Sequence, residues 1–173
     1  MSTVKAQEIV ESHQQRRVEL HTGLDENARA NVVAKLSKVL ADHYLLMLKT
    51  HNYHWNVRGP LFKSLHDLTE EQYDELFEAI DELAERIRAL GHDAPGTFSE
   101  YIELSEIKEA QKGIADLEMV ADLVGSHENL VSNMRTTLEE AQKVGDEVTV
   151  DMMVDRLSVH EKYAWMLRSF IEK

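Results

Sequence analysis

The chain has no cysteine, two prolines and seven glycines in 173 residues. Without thiols, disulfide scaffolds and thiolate metal sites are excluded, and a reducing cytosol is the natural setting. So few prolines and glycines leave little for a turn-rich β fold, whereas 29% charged residues with abundant Ala, Leu and Glu favour helices. A nucleophile elbow and a phosphate-cradling glycine loop are both missing, so acyl and phosphoryl transfer have no residues to carry them. No apolar run approaches the length of a membrane span, and Met1 to Gln7 lacks the apolar core of a secretion signal. A cytoplasmic protein is expected. Basic charge is scarce as well: 19 Lys and Arg face 32 Asp and Glu, for a net charge of −13. That balance opposes DNA, whose binding rests on basic contacts to phosphates.

The coarse reading is all-α. A polar tail over residues 1–24 precedes one domain over residues 25–173, with helices near Glu26–Val57, Leu61–Leu90, Ile107–Lys143 and Thr149–Ile171. Asp93-Ala94-Pro95-Gly96 opens a long connection in which a short helix fits around Glu100–Leu104, and Gly145-Asp146 makes the last turn. The tail pairs Lys5, Arg16 and Arg17 with Glu8, Glu11 and Glu19, so it is neutral and gives no basic arm. At the far end Lys173 follows Glu172.

What the chain does have is acid in one place. From Ser64 to Glu85 it carries nine carboxylates, one histidine and no Lys or Arg. Like charges one turn apart, such as Glu70/Asp74 or Asp81/Glu85, repel by a few tenths of a kcal/mol, about 0.2–0.5 per pair. On a helical wheel Leu65, Ile80, Leu83 and Ile87 form the core stripe. His66, Glu70, Asp81 and Glu85 occupy a separate sector with Tyr73 and Phe77 at its edge. One face suits the subunit interior and the other a partner. A solvated acidic face is the plain alternative.

Distance rules out a site within one copy of the helix. His66 and Asp81 are fifteen residues apart, or about 22 Å along the axis, while metal ligands sit about 2 Å from the ion. Two antiparallel copies bring His66 to Glu85 and Glu70 to Asp81, because both pairs are centred on the same point of the helix. An isologous dimer does this twice.

A second cluster supplies the nitrogen. His51-Asn52-Tyr53-His54-Trp55-Asn56-Val57-Arg58-Gly59-Pro60 ends the first helix, and Gly59-Pro60 stops it. His54 and His66 are each six residues from Pro60, so in an αα-hairpin they meet across the two helices. Two imidazoles from one chain and carboxylates from its mate make a nitrogen/oxygen site suited to iron, or to zinc or manganese as substitutes. His43 is a structural core histidine, about 16 Å from His54 along the helix. His51 is open between the two roles. A ferritin site inside one bundle needs Glu-x-x-His, and none of the nine histidines has Glu three residues before it.

His54-Trp55-Asn56-Val57-Arg58-Gly59-Pro60, then His66, Glu70 and Asp81-Glu82-Leu83-Ala84-Glu85-Arg86, resembles the Dps family of miniferritins over about Asn27 to Ile171. The resemblance implies a ferritin-like four-helix bundle with a short extra helix between the second and third helices, assembled into a hollow dodecamer of identical subunits. It implies a ferroxidase that oxidises Fe(II), by preference with hydrogen peroxide and otherwise dioxygen, and stores the ferric product. His54, His66, Asp81 and Glu85 are its expected catalytic ligands, and Glu70, standing where many members have Asp, is a further metal ligand. Trp55, next to His54, is expected beside the site, with apolar packing at the helix end as its plainer role. Asp146, Asp151 and Asp155 match acidic positions of a threefold uptake channel, although helix capping accounts for Asp146 equally well. The competing function is DNA binding and compaction in starved cells, with nucleoid association. The charge balance puts it second.

Overall fold

A computed structural model describes residues 20–172. The tail expected over residues 1–24 therefore lies outside the described residues up to residue 19. Five helices follow: α1 (Glu26–Asn56), α2 (Phe62–Ala89), the short α3 (Phe98–Leu104), α4 (Asp116–Val144) and α5 (Glu147–Arg168). Among the described residues there is no strand. The four long helices form the bundle: α1 packs on α2 and α4, and α5 packs on α4, while α3 lies against α1. No helix of the described residues is long and apolar enough to cross a membrane.

Local chemistry sets the helix ends. Asp25 caps α1 by accepting from Ala28 N at 2.8 Å. Gly59 takes φ +93°, the left-handed turn that lets α2 start immediately after α1. Gly145 ends α4 in the same left-handed region, and Asp146 then caps α5 through Thr149 N at 3.1 Å. The short helix is fixed by a capping box between Thr97 and Glu100. Its Tyr101 is buried and stacks on Tyr44 of α1 at 4.2 Å.

The expected core stripe is in place, with Leu65, Ile80, Leu83 and Ile87 buried. Leu36, Leu40, Leu46, Leu76, Leu123, Leu130, Met134 and Met153 complete the interior, each fully buried. Each such side chain contributes roughly 1.5–3 kcal/mol by leaving water.

The third long helix begins later than the sequence suggests, at Asp116 instead of Ile107. Residues 107–115 have helix-forming side chains, but tertiary bonds claim the backbone around them. Asp42 accepts from Glu106 N at 2.9 Å and from Ser105 Oγ at 2.7 Å, and Gln111 N donates to the Tyr53 hydroxyl at 3.1 Å. Tyr53 in turn donates to Asp122 at 2.5 Å, and the buried Lys49 holds Asp122 and Ser126 at 2.9 Å each. This polar knot anchors the last turns of α1, and so it positions the residues that follow Tyr53.

Candidate metal centre

His54 lies in the last turn of α1 and His66 near the start of α2, on either side of the Gly59 turn. The structure brings them together: the rings stack with centroids 3.7 Å apart and planes 17° apart. Their hydrogen bonds are reciprocal. His54 Nδ1 lies 2.9 Å from the His66 carbonyl, and His66 Nδ1 lies 3.0 Å from the His54 carbonyl. A carbonyl only accepts, so each Nδ1 must carry the proton. In a neutral ring that leaves both Nε2 lone pairs bare, the form in which imidazole binds a metal. His54 is buried and His66 half-buried, so the pair is held by packing as well as by bonds.

Aromatic rings enclose it. Phe62 stacks on His66 at 5.0 Å and Tyr73 meets His54 edge-on at 5.2 Å. His51 packs on Tyr73 at 4.0 Å and on Trp55 at 5.2 Å. Burial and the neighbouring His54 lower the His51 pKa, partly offset by Asp74. Trp55 is therefore linked to His54 through His51 and Tyr73, and it touches neither ring of the histidine pair among the described contacts. Its own ring is 66% exposed.

Glu70, Asp81 and Glu85 are exposed on α2, and none of them makes an ion pair among the described residues. Other carboxylates of the acidic stretch are neutralised: Lys63 pairs with Asp67 at 2.5 Å, and Arg156 of α5 pairs with Glu75. Among the described residues, no group of three or more His, Asp or Glu side chains lies close enough to hold a metal within one chain. The described residues thus present a nitrogen pair and Glu70 towards one end of α2 and the exposed carboxylates of Asp81 and Glu85 towards the other. Among large apolar side chains, Phe77 on α2 is 68% exposed, and Phe98 and Ile102 on α3 are 74% and 64% exposed.

The acidic series at the start of α5 is divided. Asp151 and Asp155 are exposed, alongside Val148 and Val154. Asp146 is buried, where it receives Arg86 Nη2 at 2.5 Å and the Thr149 hydroxyl at 2.6 Å. Burial works to raise its pKa, but the bonds from Arg86 and Thr149 win and hold it below the usual carboxylate range. Asp146 is a helix cap and an ion-pair partner. It does not face solvent with Asp151 and Asp155.

Two groups carry no mark in the sequence. Arg86 ties α2 to the start of α5, and its role shows only once Asp146 is seen beside it. His127 and His160 meet His43 in the bundle interior, and no spacing along the chain announces that meeting.

Comparison with known proteins identifies the family of this fold. Residues 33–173 match the ferritin-like domain family. DNA protection during starvation protein 2 of Bacillus anthracis is 40% identical over 142 residues, which cover 82% of this chain and 97% of that one. The crystal structure of Dps from Staphylococcus aureus superposes with a TM-score of 0.81 at 38% identity, covering 83% of this chain and 97% of that one. Dps from Vibrio cholerae O1, described as a member of a broad superfamily of ferritin-like diiron-carboxylate proteins, gives a TM-score of 0.83 at 35% identity over 86% and 94% of the two chains. This chain belongs to the Dps miniferritins of the ferritin-like family.

Proposed function

We propose that the protein oxidises Fe(II) at sites shared between two subunits and stores the ferric product inside a closed cage of identical chains, the dodecamer of the family resemblance. One observation carries the reading: the reciprocal Nδ1 bonds that leave two bare Nε2 atoms on stacked rings. Imidazole pairs arranged in this way bind first-row metals, and a hydrogen-bonded second nitrogen raises ligand basicity. His54 and His66 hold the substrate iron from one chain, and Asp81 and Glu85 of the mate supply oxygen, with Glu70 reaching the same iron or a second position. Zinc and manganese fit the same donor set as competitors.

The chemistry is a two-electron exchange. Two Fe(II) ions each lose one electron, the O–O bond of hydrogen peroxide breaks, and with two protons two waters form. Hard carboxylates favour the ferric product. Consuming peroxide and ferrous iron together is protective, because neither remains to react elsewhere. Asp151 and Asp155 attract Fe(II) at a channel mouth. The decisive experiment is anaerobic Fe(II) titration of the sized oligomer, then peroxide, following ferric absorbance. About one peroxide consumed per two Fe(II) supports the proposal. No ferric signal, or the same signal from a His54→Ala/His66→Ala variant, defeats it.

A further inference from the structure

Three histidines that the iron chemistry leaves unused meet in the middle of the bundle. His43 on α1, His127 on α4 and His160 on α5 are fully buried, and the equally buried Gln72 on α2 closes the set. Each long helix contributes one member. His127 Nδ1 lies 2.9 Å from His160 Nδ1, and His160 Nε2 lies 3.2 Å from His43 Nε2. His43 Nδ1 lies 2.7 Å from the Val39 carbonyl, and His127 Nε2 lies 3.4 Å from the Gln72 amide.

These contacts admit one neutral arrangement. The Val39 carbonyl only accepts, so His43 Nδ1 carries the hydrogen. Neutral His43 then accepts at Nε2, which obliges His160 to donate from Nε2 and accept at Nδ1. His127 must therefore donate from Nδ1 and accept at Nε2. The donor it needs is the Gln72 amide nitrogen, a buried atom with no other partner. A half-turn about the last bond of that side chain places it on His127. All six ring nitrogens are then used once. A metal explains the contacts less well, because His160 offers opposite nitrogens to its two neighbours. A chelate needs lone pairs converging on one point about 2 Å away.

Among the described residues, no carboxylate is hydrogen-bonded to the three rings. Arg156 of α5 opposes positive charge on His43 and His160, and it is already bonded to Glu75 of α2. The Tyr163 ring of α5 lies 5.9 Å from His127, and burial raises its pKa. On α1, Asp42 is turned to Ser105 and Asn133, Lys49 is held by Asp122 and Ser126 of α4, and Arg29 is bonded to Glu26. Glu128, next to His127, pairs with Arg168, and Glu161, next to His160, pairs with Arg135.

We propose that this imidazole chain is an acid-responsive lock, which joins the four long helices while each ring holds a single proton and releases the fold as pH falls. Burial is the leading cause that brings His43 down to about 4, His127 to about 3 and His160 well below the ordinary value of 6.5. In the unfolded chain each ring takes up a proton below about pH 6.5. Unfolding between pH 6.5 and 4 therefore binds up to three protons per subunit at these rings. Their stabilisation is complete above pH 6.5 and is lost as pH falls. Each proton shifts the folding equilibrium by about tenfold per pH unit, so three shift it by about a thousandfold.

Nitrogen-15 spectra of the histidine-labelled, assembled protein test this directly. Three neutral rings are expected at both pH 7 and pH 5, with His43 and His127 protonated at Nδ1 and His160 at Nε2. Titration of these rings near pH 6.5, or another tautomer pattern, overturns the proposal. A second measurement follows the urea midpoint of a His127→Leu variant between pH 6.5 and 5. Its folding equilibrium should fall about tenfold less per pH unit than that of the parent protein, and an unchanged dependence overturns the proposal. If that variant does not fold, the spectra of the parent protein decide alone.

Discussion

Arg86 stands one residue after Glu85 on α2, and its guanidinium grips both Asp146 and Thr149 at the start of α5, with Nη2 2.5 Å from the Asp146 carboxylate and Nε 2.9 Å from the Thr149 hydroxyl. The pair is largely buried, with side-chain exposures of 14% and 2%. Removing one partner of such a pair costs about 3–5 kcal/mol, because the other charge is left uncompensated. Arg86→Ala should therefore lower urea stability by that amount at pH 7. The Asp146 pKa is depressed in the folded state, so its contribution is present above the ordinary carboxylate value and lost as pH falls through the lower folded one. The gap between Arg86→Ala and the parent protein should close below about pH 4. A gap that persists there separates Arg86 from Asp146.

Site sharing between subunits has a genetic form. His66→Ala chains and Asp81→Ala chains should each be nearly inactive in iron oxidation. Refolded together, they should recover part of the activity, since one of the two sites in a mixed dimer is intact on the proposed pairing. Mixtures as inactive as either parent remove the shared site.

Trp55 packs on His51, which packs on Tyr73 beside His54. Iron bound at the paired histidines lies close enough to quench the indole through this short stack. In a Trp165→Phe background, Fe(II) under anaerobic conditions should reduce the remaining emission with the same stoichiometry as binding. Unchanged emission places Trp55 away from the metal.

Asp151 and Asp155 are exposed one turn apart on α5. The Asp151→Asn/Asp155→Asn variant should take up iron several-fold more slowly at low ionic strength and approach the parent rate in high salt, where the attraction is screened. Equal rates at low salt remove the channel role.

With a net charge of −13, the assembled protein should leave plasmid DNA unretarded in a gel at physiological salt. Retardation that disappears as salt rises would restore DNA compaction as a function.

The helices and the histidine pair were legible because they depend on short-range rules. Apolar spacing gave the core face of α2, and the equal distance of His54 and His66 from Pro60 gave their meeting. The start of α4 was not legible, since Asp42 and Tyr53, more than fifty residues earlier in the chain, capture Glu106 and Gln111. Asp146 carried two readings at once, and Arg86, sixty residues away, decides for the cap. The core histidines escaped for the same reason: His43 and His160 are 117 residues apart in sequence, and only the assembly of the bundle makes them neighbours.

The separation of nitrogen and oxygen donors along α2 has a kinetic consequence. On the proposed pairing, a lone subunit carries two half-sites and no whole one, so turnover belongs to the dimer. Below the dissociation constant of that dimer, the rate should rise with the square of subunit concentration, and only above it become proportional. A cell that makes few copies would then have iron-binding chains without oxidation, and expression level itself would set when the chemistry begins.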